Sequence, residues 1–165
     1  MEARSVRLAL AGLFCVSALY SQSDARAVER AQKLHNEMDQ IETRGDVESQ
    51  QKYFSESVVR MDAFRPMEKG REKWVALQKA MRATSQTRVT STKTTVVSAW
   101  QEGGRLYEYG TADLKLKAGA GGGGGDDPVN YFAVWKVDPA QPQIEFIIWN
   151  TTKPVAALQK LSTAK

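Results

Sequence analysis

Apolar residues recur at helical spacing near the start of the chain. Between residues 28 and 44 an apolar side chain returns every three or four positions, which predicts a helix with one apolar face. These positions are Val28, Ala31, Leu34, Met38 and Ile41. Gly45 follows directly, and helices commonly end at such a glycine, so the first helix is predicted to stop there.

Two further helices and one strand are predicted before residue 84. Asp46 is a suitable N-cap for a short second helix that ends near Phe54. Residues 57–64 begin with β-branched side chains and then alternate, as a strand does. The segment RPMEKG at residues 65–70 predicts a turn, and residues 71–83 predict a third helix with an apolar stripe.

Beyond residue 84 the period changes from helical to two. Residues 88–101 and 106–117 flank Gly103-Gly104, which is a two-residue hairpin signal. Residues 129–137 and 143–151 predict a second hairpin. The order of elements therefore predicts an α+β domain in which helices cover one face of a curved antiparallel sheet.

Two segments lie outside this alternation. Residues 118–125, AGAGGGGG, predict a flexible connection between strands. Pro154 opens a last short amphipathic helix, with Val155, Leu158 and Leu161 on one side.

The last hairpin is apolar on both faces. Its odd positions include Tyr131, Ala133, Trp135, Ile147 and Trp149, and its even positions include Phe132, Val134, Ile144, Phe146 and Ile148. Helices cover only one face of a sheet, so we expect a homodimer formed through the other face. The contact is expected near Phe132, Val134, Phe146 or Ile148.

The turn position also predicts the register of this hairpin. If residues 137 and 143 form the closing pair, Tyr131 lies opposite Trp149 and Ala133 lies opposite Ile147. All four side chains then share one face of the sheet.

The composition is that of one ordinary folded domain. The chain has 165 residues, of which 42% are hydrophobic and 25% charged, and this excludes global disorder and a multi-span membrane protein. A chain of this length buries a core without the help of a metal or a disulfide. The net charge of +4 is mild and the charges alternate in sign, so no nucleic-acid partner is expected.

Residues 1–27 have the pattern of a secretory signal peptide. Arg4 and Arg7 precede an apolar stretch at residues 8–19 that is short for a bilayer span. Ala25-Arg26-Ala27 then places small residues where a signal peptidase requires them. We expect a mature domain of residues 28–165 in the periplasm or outside the cell, without further membrane contact; an uncleaved anchor is the alternative.

The cysteine and histidine counts restrict the chemistry. The only cysteine, Cys15, lies in the predicted signal, so the mature domain has no thiol nucleophile, disulfide or thiolate metal site. One histidine and scattered carboxylates predict no metal site, and nothing in the sequence implies a cofactor.

Several segments, taken in order, resemble the nuclear-transport-factor-2-like superfamily, in its SnoaL-like and ketosteroid-isomerase-like branch. They are the helix end at Gly45-Asp46, FSESVVRMDAF, the helix start at Gly70-Arg71-Glu72, LYEYGTADLKL, YFAVWKVD and IEFIIWN. The resemblance implies a cone in which a bent sheet wraps a long helix, with a pocket at the open end and, in many members, a dimer through the sheet. Function varies widely within the superfamily, so the fold alone does not assign an activity.

The resemblance also implies which residues face the pocket. Asp62 falls where isomerase-like members have their catalytic base, and Trp149 falls where they have an aromatic wall residue. Met38 and Ala133 stand where those members have the Tyr and the protonated Asp that hold the enolate oxygen. Because such donors supply a large electrostatic contribution to catalysis, we do not expect ketosteroid isomerase activity.

Other polar and aromatic residues are candidates for the same pocket. His35 lies beside the apolar stripe of the first helix, either as a buried hydrogen-bonded residue or as a pocket group. Arg60 shares a strand face with Asp62 and either forms a local ion pair with it or belongs to the site. The remaining candidates are Phe64, Trp74, Tyr131 and Trp135.

Three functions are open from the sequence. The first, which we favour, is an exported domain that binds a small apolar or amphipathic molecule without catalysis, with Asp62 as polar anchor and His35 as the second candidate. The second is an acid–base enzyme of isomerase, dehydratase or cyclase type that uses Asp62 and His35. The third is a homodimeric protein-interaction module.

Overall fold

The computed structural model describes residues 24–62, 65–84, 88–117, 125–138 and 140–152. In these residues the helices are α1 (Ala25–Arg44), α2 (Val47–Gln50) and α3 (Arg71–Thr84), with a single 3₁₀ turn at Gln51–Tyr53. The strands are β1 (Phe54–Asp62), β2 (Arg65–Lys69), β3 (Arg88–Glu102), β4 (Arg105–Lys117), β5 (Gly125–Lys136) and β6 (Gln143–Thr151). The predicted last helix lies outside the described residues.

Helix α1 forms where the apolar spacing predicts it, and it begins earlier. The Asp24 carboxylate accepts a hydrogen bond from the Arg26 backbone N–H at 2.9 Å, and Gly45 ends the helix with a left-handed φ of 72°. Its buried face consists of Ala27, Ala31, His35, Met38 and Ile41. The predicted cleavage site before Val28 therefore falls within α1, and processing there would remove the cap and the first residues of the helix. Residues 1–23 of the predicted signal lie outside the described residues.

The strands form one curved, unclosed sheet in the order β2-β1-β6-β5-β4-β3. All neighbouring strands are antiparallel except β1 and β6, which are parallel. The predicted α+β fold is confirmed, and the expectation of a purely antiparallel sheet is wrong at this pair. Parallel pairing is possible because a long connection, through α3 and four other strands, separates β1 from β6.

Strand β2 occupies the segment that was predicted to be only a turn. Val59 lies opposite Lys69 and Arg60 opposite Glu68, so the chain folds back along β1. Pro66 is tolerated in β2 because β2 is an edge strand, where a missing backbone N–H need not remove a ladder bond. The RPMEKG segment is therefore both the return from β1 and a short strand.

The β3–β4 hairpin turns at Gly103 and Gly104 as predicted. Both residues have positive φ values, 55° and 76°, which a two-residue hairpin turn of this kind requires. Val137 donates its backbone N–H to the Gly104 carbonyl at 3.1 Å, so the end of β5 is held against this turn.

The β5–β6 hairpin has the predicted register in its middle. Tyr131 lies opposite Trp149, and Ala133 lies opposite Ile147. These four residues lie on the inner face of the sheet, beneath α1, as the parity predicted.

A bulge in the β5–β6 hairpin places Ile144 on the inner face of the sheet, not on the predicted outer face. The register shifts after Val134, so that Trp135 lies opposite Ile144. Ile144 therefore turns to the inner face, where it is fully buried, and not to the outer face with Phe146. An unbroken alternation had placed both residues on the outer face.

Helix α1 lies along the free edge of β3. The side-chain amide of Gln32 donates to the Thr94 carbonyl at 2.8 Å and accepts from the Val96 backbone N–H at 3.0 Å. The Asp39 carboxylate accepts from the backbone N–H and the hydroxyl of Thr94, at 2.7 and 2.8 Å. Because β3 is the outermost strand, these backbone groups have no neighbouring strand, and side chains of α1 take its place.

Gly110 permits a close approach between β3 and β4. A Cβ at this position would lie 2.1 Å from the Thr95 carbonyl oxygen and 3.0 Å from the Tyr131 ring. The β3–β4 register shifts at the same level, between Val96 and Ser98. Only glycine leaves room for the strand to bend over Tyr131 here.

The outer face of the sheet carries a group of aromatic side chains, four of which make ring contacts with one another. Trp100 stacks on Tyr107 with ring centroids 5.4 Å apart, and Phe132 lies 6.4 Å from both Trp100 and Phe146. Tyr109 is 46% exposed and Trp100 is 37% exposed. We name these five residues the outer aromatic cluster. They form an apolar surface on the side of the sheet opposite the helices.

Asp39→Ala is expected to destabilise the fold through the edge of β3. The substitution removes two hydrogen bonds to a charged acceptor and leaves the backbone N–H of Thr94, which is buried, without its partner. We expect the free energy of unfolding to fall by about 2 to 3 kcal/mol in urea denaturation. Gln40→Ala, an exposed change on the same helix, is the control and should stay within about 0.5 kcal/mol of the wild type. An Asp39 variant as stable as this control would contradict the role of α1 as the cover of the β3 edge.

Candidate functional site

A cavity of about 710 Å³ lies between α1, α3 and the inner face of the sheet. Along the inner face of β4, residues from Leu106 to Ala112 are buried, whereas Leu114 and Leu116 are partly exposed. The cavity is therefore closed toward the start of β4 and opens toward its end. Its volume is in the range of small-molecule pockets, roughly 300–1,000 Å³.

Apolar side chains from α1, from α3 and from every strand except β2 line the cavity. They are Met38, Phe54, Trp74, Val89, Ala112, Leu114, Leu116, Val129, Ile147 and Trp149. A surface of this kind favours an apolar molecule, because such a molecule leaves water when it enters.

A buried hydrogen-bonded trio stands behind one wall of the cavity. His35 Nε2 lies 2.5 Å from Glu108 Oε1, and the Trp135 indole N–H donates to the same oxygen at 2.8 Å. The Glu108 side chain is fully buried, and these bonds offset part of the cost of removing its carboxyl group from water, since Oε2 has no hydrogen-bond partner among the described residues. His35 also lines the cavity, so the trio fixes the orientation of the imidazole at the cavity wall.

Tyr131 is the neighbouring polar residue on this wall. Its ring centroid lies 5.0 Å from that of His35, and the residue is only 6% exposed. Its hydroxyl has no hydrogen-bond partner among the described residues. Burial, together with the negative charges of Glu108 and Asp39, raises the pKa of the Tyr131 phenol far above its usual range. The phenol therefore stays neutral and keeps its proton to donate.

Arg60 brings a buried positive charge to the wall formed by β1 and β6. Its guanidinium carbon lies 4.4 Å from the centroid of the Trp149 ring, and both residues line the cavity. Arg60 also lies 4.0 Å from the carboxylate of Asp62. The local ion pair that the sequence predicted as one alternative is therefore present.

Glu42 joins three helices beside the cavity. Its carboxylate accepts a hydrogen bond from the Gln50 amide at 2.5 Å and from Arg82 at 3.2 Å. Glu42 belongs to α1, Gln50 to α2 and Arg82 to α3, and all three line the cavity. These contacts fix the spacing of the helices around it.

The structure brings most of the predicted candidates to one cavity. The candidates that line it are His35, Met38, Arg60, Trp74, Tyr131 and Trp149. Trp135 lies behind His35, Ala133 is fully buried in the core, and Asp62 is not among the described lining residues. Phe64 lies outside the described residues. The binding role of all these residues stays a prediction.

Sequence analysis missed Glu108 and Asp39. Glu108 falls on the parity of the inner face in LYEYGTADLKL, together with Leu106, Ala112 and Leu114. A lone carboxylate on an apolar face signals a buried partner, and this signal was present in the sequence. Asp39 follows His35 by four residues, which places both on one helix face, but no sequence feature shows that a strand edge lies against that face.

Neither a metal cluster nor a long apolar helix occurs in the described part of the chain. Among these residues, no group of three or more His, Cys, Asp or Glu side chains could hold a metal ion. No helix in the same ranges is long and apolar enough to cross a membrane.

The raised pKa of Tyr131 predicts a loss of stability at alkaline pH. Above the ordinary tyrosine pKa of 10.0 the unfolded chain releases the phenol proton while the folded chain keeps it, so stability is full below pH 10 and falls above it. Tyr131 should contribute a loss of about 1.4 kcal/mol for each pH unit above about 10. The measurement is the unfolding free energy of the wild type and of Tyr131→Phe between pH 8 and pH 11. The wild type should lose more stability than the variant, whereas Tyr109→Phe, at an exposed tyrosine, should follow the wild type. Parallel curves for the wild type and Tyr131→Phe would show the expectation to be wrong.

Comparisons with known proteins identify the fold. No protein-family model matches the chain, and no curated protein matches it. A solved structure of a ketosteroid isomerase-like protein from Erwinia carotovora atroseptica aligns with a TM-score of 0.64 at 12% identity, over 78% of this chain and 96% of that one. A nuclear-transport-factor-2-like protein with a cystatin-like fold from Novosphingobium aromaticivorans aligns with a TM-score of 0.61 at 16% identity, over 94% and 98% of the two chains. A third structure, of a nuclear-transport-factor-2-like protein from Cytophaga hutchinsonii, gives a TM-score of 0.60 at 11% identity, over 78% of this chain and 98% of that one. At these identities the likeness concerns the fold, and the chain has the nuclear-transport-factor-2-like fold that its motifs predicted.

Proposed function

We propose that the protein binds a small apolar or amphipathic molecule in the cavity and holds it without chemical change. The observation that carries the proposal is a cavity of about 710 Å³ that opens at one end and whose apolar lining comes from α1, α3 and five strands. Packed interiors rarely leave so large a space without a purpose in binding.

Buried polar atoms around the cavity support a bound molecule. Tyr131, Trp74, Gln50 and Thr92 all line the cavity, and each has a buried side-chain oxygen or nitrogen without a partner among the described residues. Native proteins leave few such atoms, because each one costs free energy. A ligand or ordered water in the cavity would supply the missing partners.

The placement of Asp62 and His35 favours binding over acid–base catalysis. The enzymatic alternative needs both side chains beside one substrate. Asp62 lies beside Arg60 and is not among the described lining residues, whereas the His35 imidazole is bonded through Nε2 to Glu108. Asp62 is thus more readily explained as a partner of Arg60 than as a general base.

We propose that this binding takes place after export, in the periplasm or outside the cell. The proposal is supported by the signal-like pattern of residues 1–27.

We propose further that two copies of the chain pair through the outer aromatic cluster. Trp100 and Tyr109 are more than one-third exposed, and Val97 beside them is 57% exposed. Contiguous exposed aromatic side chains of this kind are typical of an interface. A second copy places the same surface against itself, as twofold symmetry requires.

Filling the cavity should abolish binding. In Ala112→Phe a benzyl group enters the cavity from β4, and we expect the affinity for the neutral dye Nile red to fall at least about tenfold in a fluorescence titration. Thr111→Phe is the matched control, because Thr111 is the preceding residue of the same strand and points to the opposite, exposed face. Unchanged Nile red affinity in a folded Ala112→Phe protein, or no dye binding by the wild type, would contradict the proposed function.

Placing a charge in the outer aromatic cluster should separate the copies. Phe146→Glu should sediment as a monomer at tens of micromolar, an order-of-magnitude choice for interfaces of ordinary strength, where we expect the wild type to be a dimer. Gln101→Glu introduces the same carboxylate at an exposed site in the β3–β4 hairpin and should remain dimeric. A monomeric wild type at this concentration would contradict the proposed dimer.

A further inference from the structure

One part of the cavity wall is polar, and its polar groups belong to His35 and Tyr131. His35 uses Nε2 for its bond to Glu108, so Nδ1 is the imidazole nitrogen left for other partners. The ring of Tyr131 lies 5.0 Å away, and its buried hydroxyl has no partner among the described residues. Because Tyr131 lines the cavity, a ligand oxygen that reaches its hydroxyl would find an unused hydrogen-bond donor.

The charges around the Tyr131 hydroxyl disfavour an anionic ligand. The cationic lining residues are Arg44, Arg60 and Arg82, and the acidic ones are Asp39, Glu42 and Asp127, so the lining has no excess of either sign. The carboxylates that act on the Tyr131 phenol are those of Glu108 and Asp39. A ligand carboxylate beside Tyr131 would be repelled by both. Arg60 compensates little, because its charge already faces Asp62 and the Trp149 ring.

We propose that the ligand is uncharged and carries a carbonyl oxygen, as in a ketone, ester or amide, which accepts a hydrogen bond from the Tyr131 hydroxyl beside His35. The inference rests on the proposed function and adds the chemical class of the molecule bound. A bound carbonyl gives the buried hydroxyl its missing acceptor, and the apolar remainder of the molecule occupies the cavity toward the mouth. Glu108 acts as a positioning residue, because it holds the imidazole that flanks the same oxygen.

Three probes of similar size separate the chemical classes. Benzophenone carries the carbonyl, diphenylmethane replaces it by a methylene group, and diphenylacetate carries a carboxylate. Equilibrium dialysis against the full chain gives the affinity for each probe. We expect the wild type to bind benzophenone about tenfold more tightly than diphenylmethane, which is the effect of one hydrogen bond in a desolvated site, and to bind diphenylacetate more weakly than benzophenone.

Tyr131→Phe tests the named donor. This variant removes a hydroxyl that has no partner among the described residues, so we expect it to fold and to bind diphenylmethane at least as well as the wild type. Its preference for benzophenone should fall to about threefold or less. Tyr53→Phe is the matched control: it removes a hydroxyl that bonds Glu37 on the surface, and it should keep the tenfold preference.

The outcomes separate this inference from the proposed function. Loss of the benzophenone preference in Tyr131→Phe alone supports the inference. Equal binding of benzophenone and diphenylmethane by the wild type overturns the inference and leaves the proposed function intact. The inference is likewise overturned if diphenylacetate binds most tightly, or if Tyr131→Phe keeps the preference. Failure of the wild type to bind any of the three probes overturns the proposed function and this inference with it.

Discussion

The free edge of β3 determines where α1 lies, and the rest of the structure depends on that position. An outermost strand presents backbone N–H and C=O groups that need partners, and here Gln32 and Asp39 supply them for Thr94 and Val96. Apolar contacts alone allow a helix to slide over a sheet, because they have little directionality. Hydrogen bonds to particular backbone atoms hold the helix at one position on the sheet. The distance between α1 and the sheet, and so the width of the cavity, is thus set by polar contacts at its margin.

The same helix face also determines the position of His35. Gln32, His35 and Asp39 follow one another at intervals of three and four residues, so all three side chains lie on the face of α1 that packs against the sheet. The outer two bond the edge strand, and His35 between them reaches Glu108 on β4. A buried pair of this type contributes little net stability, since desolvation offsets most of the attraction. What the pair supplies is position: α1, β4 and, through the Trp135 indole, β5 are joined at a single carboxylate oxygen.

Much of the fold could be predicted from local signals. Gly45 and Gly103-Gly104 act through their own backbone conformations, and Asp46 acts through a side-chain bond to the backbone three residues on, so the helix ends and the hairpin turn are found where the sequence places them. The pairing of Tyr131 with Trp149 followed from the position of the turn, although the bulge makes Lys136, and not Val137, the partner of Gln143. Features that depend on another element could not be predicted in this way. The strand β2 exists only because β1 is beside it, and the bulge that turns Ile144 inward requires the curvature of the finished sheet.

The candidate site was predictable in its location and less so in its chemistry. Parity placed Tyr131 and Trp149 on one face of the sheet, helical spacing placed Met38 on the apolar face of α1, and the family resemblance assigned both faces to the pocket, which Met38, Tyr131 and Trp149 line. Which polar groups become partners depends on contacts between distant segments, such as the 73 residues that separate His35 from Glu108. A sequence shows which polar residues exist and which of them share a face. The pairing of the strands has to be known before these residues can be assigned to one site.

Sequence identities of 11 to 16% to structures of the same fold show how little the cone requires of individual residues. The fold needs strands with alternating apolar and polar residues, a few glycines at turns and bends, and a helix that covers one edge of the sheet. The polar residues inside can therefore differ in position from one protein to the next. In this chain the polar groups at the wall lie beside Met38 and Ala133: Glu108 is the direct cross-strand partner of Ala133, and His35 stands one helical turn before Met38. Glu108 holds the imidazole from behind the wall, whereas Met38 and Tyr131 line the cavity itself. A few fixed polar groups among apolar side chains are the composition of pockets that take up small molecules, so the variable polar positions inside this fold are the ones that set what the cavity can hold.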